Sequence, residues 1–482
     1  MLTRKIIHLL LAGIMVMTPM ACNKNQQIND VTAESGRFQK IILNMSNRKN
    51  KHQADEIWTM HTGYPEDNFA NIAFLNNSIR SAFFNSSQLP DFTADLCNEI
   101  ISSGSRTYIL HLLHKLDACS AGGYGPPLSE SHALSSFYSK GPETDMLIDE
   151  LSKPVEEGGI GLEEKQTVKS ELAGCSPEFQ SMILSFLKCI SDTYSIFKHF
   201  VPPGSVESDL LSISGKETPL DRLMKIFSSR EMVPAGHKTL FNGFDRQVLA
   251  FSLRIMLENI SYILDRYGQS KSPDLYHSHS LEFISSLGKI GIFGEQNDTI
   301  DTDYLLIINT GGNDCYTGNA ANAEIYNLPI SIIIDLSGND TYGNSNNSSG
   351  VCRSVLGISL LIDLKGNDIY RSGSHSLAFT MGGFSFLEDM EGNDSYLCEG
   401  GYGLASSFFG YSILYDHSGD DKYLSGNYSQ GFGGPGGTAL MLDLKGNDRY
   451  LAENGSFCQG SARGRWADAG DGFNMGGGYG IL

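Results

Sequence analysis

The sequence lacks the marks of several familiar functional classes. Its 482 residues contain no Cys-x-x-Cys pair and no cysteine and histidine spacing typical of a zinc site. They contain no Gly-x-Ser-x-Gly elbow, His-Glu-x-x-His helix, phosphate loop or dinucleotide glycine fingerprint. Basic residues are scarce, since 35 Lys and Arg stand against 55 Asp and Glu and give a formal net charge of −20. A nucleic-acid partner is therefore disfavoured, because phosphate binding needs a basic surface.

Long apolar runs are scarce too, and the one near the N-terminus is too short to span a membrane. It extends from Ile6 to Met17 and follows Arg4 and Lys5, as in the apolar region of a signal peptide. We therefore expect residues 1–21 to be a signal peptide and the chain to be exported. No later apolar run reaches the length of a membrane span.

The end of this run resembles the lipobox of bacterial lipoproteins, in which a cysteine is lipidated and becomes the first residue of the mature protein. Ala21 and Cys22 fit that pattern, whereas Pro19 stands where leucine is usual. The resemblance implies lipid attachment at Cys22, a tether over residues 22–37 and a membrane partner reached through the anchor. With Asn23 after the cysteine it implies the outer membrane. A secreted or periplasmic protein without lipid is the alternative.

A short phrase, Gly-Asn/Asp-Asp-x-Tyr, occurs six times in the C-terminal part of the chain. Its copies begin at Gly312, Gly338, Gly366, Gly392, Gly419 and Gly446. The steps between them are 26, 28, 26, 27 and 27 residues, and such a fixed period indicates stacked repeats. About 27 extended residues span roughly 90 Å, enough for one turn of a three-sided parallel β-helix. A propeller blade usually takes about 40 residues or more, so a propeller is disfavoured.

Helical periodicity dominates the part of the chain that precedes the repeats. Apolar residues recur at steps of three and four from Phe179 to Phe197 and from Leu249 to Tyr267, and shorter helices are predicted at 68–84 and 106–116. The predicted fold class is therefore α+β multidomain. Its predicted parts are an α-helical domain over 38–267, a linker with an atypical first coil over 268–302, and a parallel β-solenoid over 303–482.

Each full repeat also carries an aspartate three residues before the glycine, at the end of an apolar strand. In the first copy Asn309 replaces this aspartate, and a last copy from Gly470 to Phe473 is degenerate. Stacked coils place equivalent residues in ladders. The tyrosines predicted to form one structural ladder are Tyr316, Tyr342, Tyr370, Tyr396, Tyr423 and Tyr450, with a sugar-binding aromatic platform as the alternative. We expect the glycines to be required by a corner with positive φ.

The ladders of aspartates predict a device that offsets their mutual repulsion. Two like charges about 4.8 Å apart repel by roughly 1 kcal/mol in water and by several kcal/mol in a partly buried site. Either each carboxylate accepts backbone N–H bonds and faces solvent, or Ca²⁺ lies between coils; both remain open. The candidate Ca²⁺ ligands are Asp335, Asp340, Asp363, Asp368, Asp389, Asp394, Asp416, Asp421, Asp443 and Asp448.

The phrase resembles the calcium-binding nonapeptide repeats of RTX proteins, which form parallel β-rolls. It departs from them in its period, which is near 27 rather than nine, and in the aspartate before the glycine. The likeness covers residues 309–450 only. The full array is more similar to repeats of uncharacterised exported bacterial proteins. The resemblance implies Ca²⁺ as a ligand of the motif aspartates.

The predicted function is that of a surface or periplasm-facing lipoprotein whose solenoid is a structural or ligand-binding module. A glycan or another surface protein is its candidate ligand. A polysaccharide-active hydrolase or lyase is the less favoured alternative, because catalytic residues break a repeat, whereas these carboxylates obey it. No catalytic residue is assigned. The polar residues outside the repeat pattern that an active site would use are Glu399, Glu453, Asp468, Arg463, Arg465 and Trp466.

Overall fold

The computed structural model describes residues 144–201, 218–228, 241, 244–267, 280–325, 327–343, 350–453, 455–464 and 478–482. All of these residues belong to one compact unit, Glu130–Leu482. The predicted signal peptide, Cys22 and the helices at 68–84 and 106–116 lie outside the described residues. The α-helical domain as a whole therefore stays a prediction.

Helices precede the solenoid in the described part of the chain. They are α1 (Thr144–Leu151), a 3-10 turn (Val155–Glu157), α2 (Lys165–Leu172), α3 (Pro177–Phe197), α4 (Pro219–Ser228) and α5 (Arg246–Tyr267). The two predicted apolar stripes are confirmed as α3 and α5, which pack against each other. Helix α3 begins where the Ser176 side chain accepts the N–H of Phe179 at 3.2 Å. None of the described helices combines the length and apolar character of a membrane span.

The described residues from Gly288 onward form a parallel β-solenoid of about six turns with coils of roughly 27 residues, which confirms the predicted architecture. Its strands form two sheets. The large sheet contains β1 (Leu281–Ser285), β2 (Gly288–Phe293), β4 (Leu306–Asn309), β6 (Ala320–Glu324), β7 (Ile330–Asp335), β9 (Val351–Asp363), β11 (Phe379–Asp389), β13 (Ser406–Asp416), β15 (Phe432–Gly433), β16 (Thr438–Asp443), β18 (Ser461–Ala462) and β19 (Tyr479–Ile481). The small sheet contains β3 (Thr299–Ile300), β5 (Cys315–Tyr316), β8 (Thr341–Tyr342), β10 (Ile369–Ser372), β12 (Ser395–Cys398), β14 (Lys422–Ser425) and β17 (Arg449–Ala452).

Successive coils are in register, so equivalent residues stack. In β7 through β16 the first aspartate of each motif pairs with the first aspartate of the next coil, and each motif tyrosine pairs with the next tyrosine. In β9, β11 and β13 two sides of the coil form one continuous strand. This strand bends at Leu356, Gly382 and Phe409, whose φ values lie between 50° and 69°.

A hairpin and the helices both contact the large sheet, the hairpin through strand pairing and the helices through a backbone hydrogen bond and a ring stack. Strand β1 pairs antiparallel with β2, and β2 then pairs parallel with β4, so a hairpin closes the N-terminal end of the large sheet. The N–H of Glu163 donates to the carbonyl of Ile284 at 2.9 Å. The ring of Phe241 stacks on that of Phe409 with centroids 4.6 Å apart. The helical residues therefore pack directly on the large sheet.

The repeat glycines are required for a reason that differs from the prediction. Gly312 has a left-handed φ of 124°, but the glycines of the next four repeats have φ outside that region. A Cβ on Gly366 would lie 2.3 Å from the carbonyl oxygen of Gly338 and 2.4 Å from the carboxylate of Asp368. The predicted left-handed corner is therefore wrong at these positions. Glycine is needed there because the preceding coil and the carboxylate approach its Cα too closely for any side chain.

Candidate metal centre

The motif aspartates lie inside the solenoid, at the corner between the large and the small sheet. The first aspartate of each motif ends a strand of the large sheet, and the second lies five residues later, just before a strand of the small sheet. Eight of the ten predicted ligands are at most 1% exposed, and only Asp443 and Asp448 are half-buried. The expectation that backbone-bonded carboxylates face solvent is therefore wrong as to exposure, because the corner directs them into the core, although Asp335 and Asp363 do accept backbone N–H bonds.

The tyrosines stand beside them in one buried column. Neighbouring rings from Tyr316 to Tyr450 stack with centroids 4.7 to 4.9 Å apart. Five of the six rings, all but that of Tyr450, are at most 1% exposed and leave no face for a sugar, so the platform interpretation is wrong. The Tyr370 hydroxyl donates to Asp389 Oδ2 of the next coil at 2.6 Å, and the same link recurs in three other coils. Burial, with help from these carboxylates, raises the pKa of Tyr370 well above its ordinary value, so the hydroxyl keeps its proton.

The second aspartate of each motif is bonded to the backbone of the preceding coil. The N–H of Asp340 donates to Asp368 Oδ1 at 2.6 Å. The equivalent bonds join Asp314 to Asp340, Asp368 to Asp394, Asp394 to Asp421 and Asp421 to Asp448 at 2.6 to 3.0 Å. Hydrogen bonds to a charged acceptor are stronger than those between neutral groups. One oxygen of each second aspartate is thereby fixed between coils.

The other carboxylate oxygen of the second aspartate, Oδ2, accepts a hydrogen bond in the first repeat. In the next four repeats no hydrogen-bond donor reaches it. In the first repeat Asn309 Nδ2 donates to Asp314 Oδ2 at 2.7 Å. Later coils carry an aspartate in place of Asn309, and an ionised carboxylate has no proton to donate. Among the described residues, the buried aspartate oxygens in this corner without a donor are Asp340 Oδ2, Asp368 Oδ2, Asp394 Oδ2, Asp421 Oδ2, Asp389 Oδ1, Asp416 Oδ1 and Asp443 Oδ1.

The motif aspartates, with Asp314, form five groups of three carboxylates. In each group one oxygen from each of three aspartates lies within 4.8 Å of the other two. The groups are Asp314, Asp335 and Asp340; Asp340, Asp363 and Asp368; Asp368, Asp389 and Asp394; Asp394, Asp416 and Asp421; and Asp421, Asp443 and Asp448. No other cluster of three or more ligand-type side chains occurs in the part of the chain that the structure describes. Neighbouring groups share the second aspartate of a motif, so the five groups form one continuous row along the corner, which we call the aspartate file.

Full ionisation of this file is costly unless cations neutralise it. Two charges 4.8 Å apart repel by about 3 to 4 kcal/mol at an effective dielectric constant of about 20. Burial is the largest cause that raises the pKa of Asp340 to about 7, that of Asp368 to about 8 and that of Asp416 to about 9, and neighbouring aspartates add to it. Without a cation the file therefore holds protons at neutral pH. Five groups of convergent carboxylate oxygens fit a hard cation.

The residues considered for an alternative catalytic site are not brought together. Glu399 and Glu453 are exposed and lie two coils apart, with Gly426 between them in the register. Arg463 instead donates to the Tyr428 hydroxyl at 2.5 Å. Asp468, Arg465 and Trp466 lie outside the described residues. The off-register carboxylates that the structure describes therefore form no acid pair.

A second aromatic column, which was not predicted from the sequence, lies on the outside of the solenoid. It consists of His375, Tyr402, Tyr428 and Phe457, whose ring centroids are separated by 5.0, 4.7 and 5.4 Å. Their intervals of 27, 26 and 29 residues match the repeat and could have revealed the column. All four residues have φ between 55° and 60°, which places the column at a left-handed turn of the coil.

Comparisons with protein-family models, with curated proteins and with solved structures found no match.

Proposed function

We propose that the solenoid binds a file of divalent cations, Ca²⁺ in the first place, along its aspartate corner and depends on them for its stability. The observation that carries this proposal is the contrast between the first repeat and those that follow. Asn309 donates to Asp314 Oδ2, whereas the equivalent oxygen in the next four coils is buried without a donor. A buried unsatisfied polar atom costs about 1 to 3 kcal/mol, and more when it is charged. A cation between the coils removes that cost in every repeat.

The charge balance favours divalent over monovalent ions. The five groups contain eleven different aspartates, so five divalent ions carry ten positive charges against eleven carboxylates. Five monovalent ions leave six negative charges in the core. The candidate ligands are all carboxylate oxygens, and Ca²⁺ accepts oxygen ligands in variable number and geometry. Zinc is disfavoured because histidine and cysteine are absent from the groups.

The wider role follows from the sequence and is part of the same proposal. The chain is an exported protein attached to the outer membrane through a lipid on Cys22, with a helical domain over 38–267 ahead of the solenoid. The ion-loaded solenoid serves as a rigid module that presents its outer faces to a glycan or to another surface protein. Its aspartates stabilise the scaffold and carry out no chemical step.

Two measurements on the full chain test the ion file. Elemental analysis after dialysis against Ca²⁺ should find about five ions per chain, as the number of groups requires. The melting temperature at about pH 8 should be higher in Ca²⁺ than in EGTA, because Ca²⁺ replaces the protons that the folded file still holds and neutralises the aspartates that have lost theirs. A chain that carries no Ca²⁺ and melts identically in both buffers would show that protons alone neutralise the corner.

The lipid anchor has its own test. Cells that express the chain should incorporate labelled palmitate into it, and the Cys22→Ser variant should incorporate none. The matched control is the Cys97→Ser variant, which should be labelled like the unmodified chain. Labelling that persists in Cys22→Ser contradicts the anchor without affecting the ion file.

A further inference from the structure

Backbone hydrogen bonds close the aspartate file along the outside of the corner. In the coil that contains Asp363 and Asp368, every residue from Leu364 to Ile369 donates its N–H group in a hydrogen bond. Five of these six bonds reach a neighbouring coil, at 2.6 to 3.0 Å. The next two coils repeat the same five bonds. An ion that passed between coils would have to break several of these bonds at once, and a buried N–H group without an acceptor costs stability.

The N-terminal end of the aspartate file is closed as well. In the first coil Phe293 pairs with Asn309, so an apolar ring occupies the place of the first aspartate of a motif. Both residues are buried. The N–H of Asp298 donates to Asp314 Oδ1 at 2.5 Å, and Asn309 Nδ2 donates to Asp314 Oδ2 at 2.7 Å. The file therefore ends here on an apolar side chain, and both oxygens of its terminal aspartate already accept hydrogen bonds.

The C-terminal end of the aspartate file is more accessible. Asp443 and Asp448 are half-buried, whereas the other nine aspartates of the five groups are at most 2% exposed. Tyr450 beside them is half-buried too, and its hydroxyl donates to Asp443 Oδ2 at 2.6 Å. Among the described residues, the solvent-accessible surface of the file is therefore concentrated at this end.

Shared aspartates connect the accessible end with the closed end. Each pair of neighbouring groups has one aspartate in common: Asp421, Asp394, Asp368 or Asp340. An ion in one group therefore already contacts a ligand of the next and can move on without returning to water. The three oxygens of a group lie within 4.8 Å of one another, which leaves room for one ion with oxygens at about 2.3 to 2.6 Å. Ions in such a row cannot pass one another, as in the multi-ion sites of channels.

We propose that divalent ions enter and leave the aspartate file only through the group of Asp421, Asp443 and Asp448, and that they move along it in order. This inference rests on the proposed ion binding and adds its route. The outermost ion exchanges with solution, whereas an inner ion leaves only after the ions ahead of it. The inner coils therefore keep their ions when the free Ca²⁺ concentration falls briefly, and the solenoid loses its ions from the C-terminal coil inward.

Release of radioactive Ca²⁺ from the full chain tests this route. The chain is loaded with ⁴⁵Ca²⁺ and transferred into an excess of unlabelled Ca²⁺, so that the groups stay occupied, and the retained label is measured over time. Five groups predict that about one fifth of the label leaves first. The remaining label should leave at least about tenfold more slowly, which corresponds to a barrier higher by about 1.4 kcal/mol, because each inner ion waits for the group ahead of it to empty.

Two substitutions of Asp443 separate the route from the affinity of the groups. Asp443→Phe repeats at this end the apolar side chain that Phe293 places at the other, and should close it. Asp443→Ala is the matched control, because it removes the same carboxylate but leaves the end open. The four inner groups have identical aspartates in both variants. We expect Asp443→Phe to release the four inner ions at least about tenfold more slowly than Asp443→Ala.

The outcomes distinguish the route from ion binding itself. A chain that binds no ⁴⁵Ca²⁺ refutes the ion file and its route together. A chain that binds about five ions but releases them all at one rate, or two variants with equal release, overturns the route alone and indicates exchange between coils. Label that is never released also overturns it, because the ions are then enclosed during folding. Melting curves in Ca²⁺ verify that both variants fold; if Asp443→Phe does not, Asp443→Leu takes its place.

Discussion

Replacing Asp363 with asparagine should stabilise the protein in the absence of divalent cations and weaken its response to Ca²⁺. The chain itself supplies the precedent, because Asn309 occupies the equivalent place in the first repeat and donates to Asp314 Oδ2 at 2.7 Å. In the Asp363→Asn variant the new amide N–H would satisfy Asp368 Oδ2, which now has no donor. The backbone N–H that Asp363 Oδ1 accepts from Lys365 at 3.0 Å would be kept by the amide oxygen.

The size of the effect follows from three terms. Asp363 lies within 4.8 Å of Asp340 and Asp368, and each fully ionised pair costs about 3 to 4 kcal/mol at an effective dielectric constant of about 20. Aspartates that already hold a proton carry no charge, so the repulsion that the substitution removes is smaller than these values. The new hydrogen bond contributes about 1 to 3 kcal/mol. Tyr342 loses its acceptor at 2.7 Å but retains Asp335 Oδ2 at 3.2 Å. We expect a net stabilisation of about 2 to 4 kcal/mol in EGTA at about pH 8.

Urea unfolding in EGTA and in Ca²⁺ measures both effects, and elemental analysis should show the loss of one ion. Asp420→Asn is the matched control, because Asp420 is exposed, lies outside the five groups and stands where other repeats have asparagine. It makes the same change of charge and should alter neither stability nor ion content. If Asp363→Asn were no more stable than the unmodified chain in EGTA while the control behaved as expected, the corner would not be under electrostatic strain.

Three further predictions concern the same corner. Asp368→Asn should remove up to two ions where Asp363→Asn removes one, since Asp368 belongs to two groups; elemental analysis would contradict the shared file if both variants lost the same number. Tyr370→Phe should keep the stack but lower the free energy of unfolding by about 1 to 3 kcal/mol, because Asp389 Oδ2 loses its donor; a urea midpoint equal to that of the unmodified chain would count against this. In EGTA the melting temperature should fall as pH rises from about 4 to about 9. Burial raises the pKa of the aspartates in the folded chain, to between about 6 and about 9 for seven of them. The folded chain therefore binds more protons than the unfolded chain over this range, and its stability falls as they are lost. Ca²⁺ should flatten this dependence, whereas a melting temperature that rises with pH in EGTA would refute the assignment.

The regular part of the fold could be predicted because its signal is periodic. A step near 27 residues with an apolar strand before each aspartate is compatible with few architectures, and α3 and α5 each carry a continuous apolar stripe. The inward orientation of the aspartate side chains could also have been predicted. Leu361 lies in the core two residues before Asp363, and Tyr370 lies in the core two residues after Asp368. Alternation along each strand therefore places both carboxylates inside, although a charged residue is expected at the surface.

The spacing of about 4.8 Å between coils could be predicted, but the closest contacts at the corner and with the helices could not. The close approach of Gly338 to Gly366, which excludes any side chain at Gly366, depends on how tightly the corner turns. The same holds for the contact between Phe241 and Phe409, since no periodic pattern joins a helix to a strand so far along the chain. Sequence periodicity determines which residues are equivalent. Their closest contacts depend on packing, which requires the coordinates.

Because the file is built from equivalent corners that share their aspartates, the length of the solenoid and the number of its carboxylate groups are coupled. Loss of one whole coil, for example by recombination between the repeats that begin at Gly366 and Gly392, leaves the remaining coils in register. Such a shortened chain keeps a continuous file with one group fewer. A gene for this protein can therefore change the length of the solenoid in steps of one coil and one carboxylate group, without new contacts having to evolve at the junction.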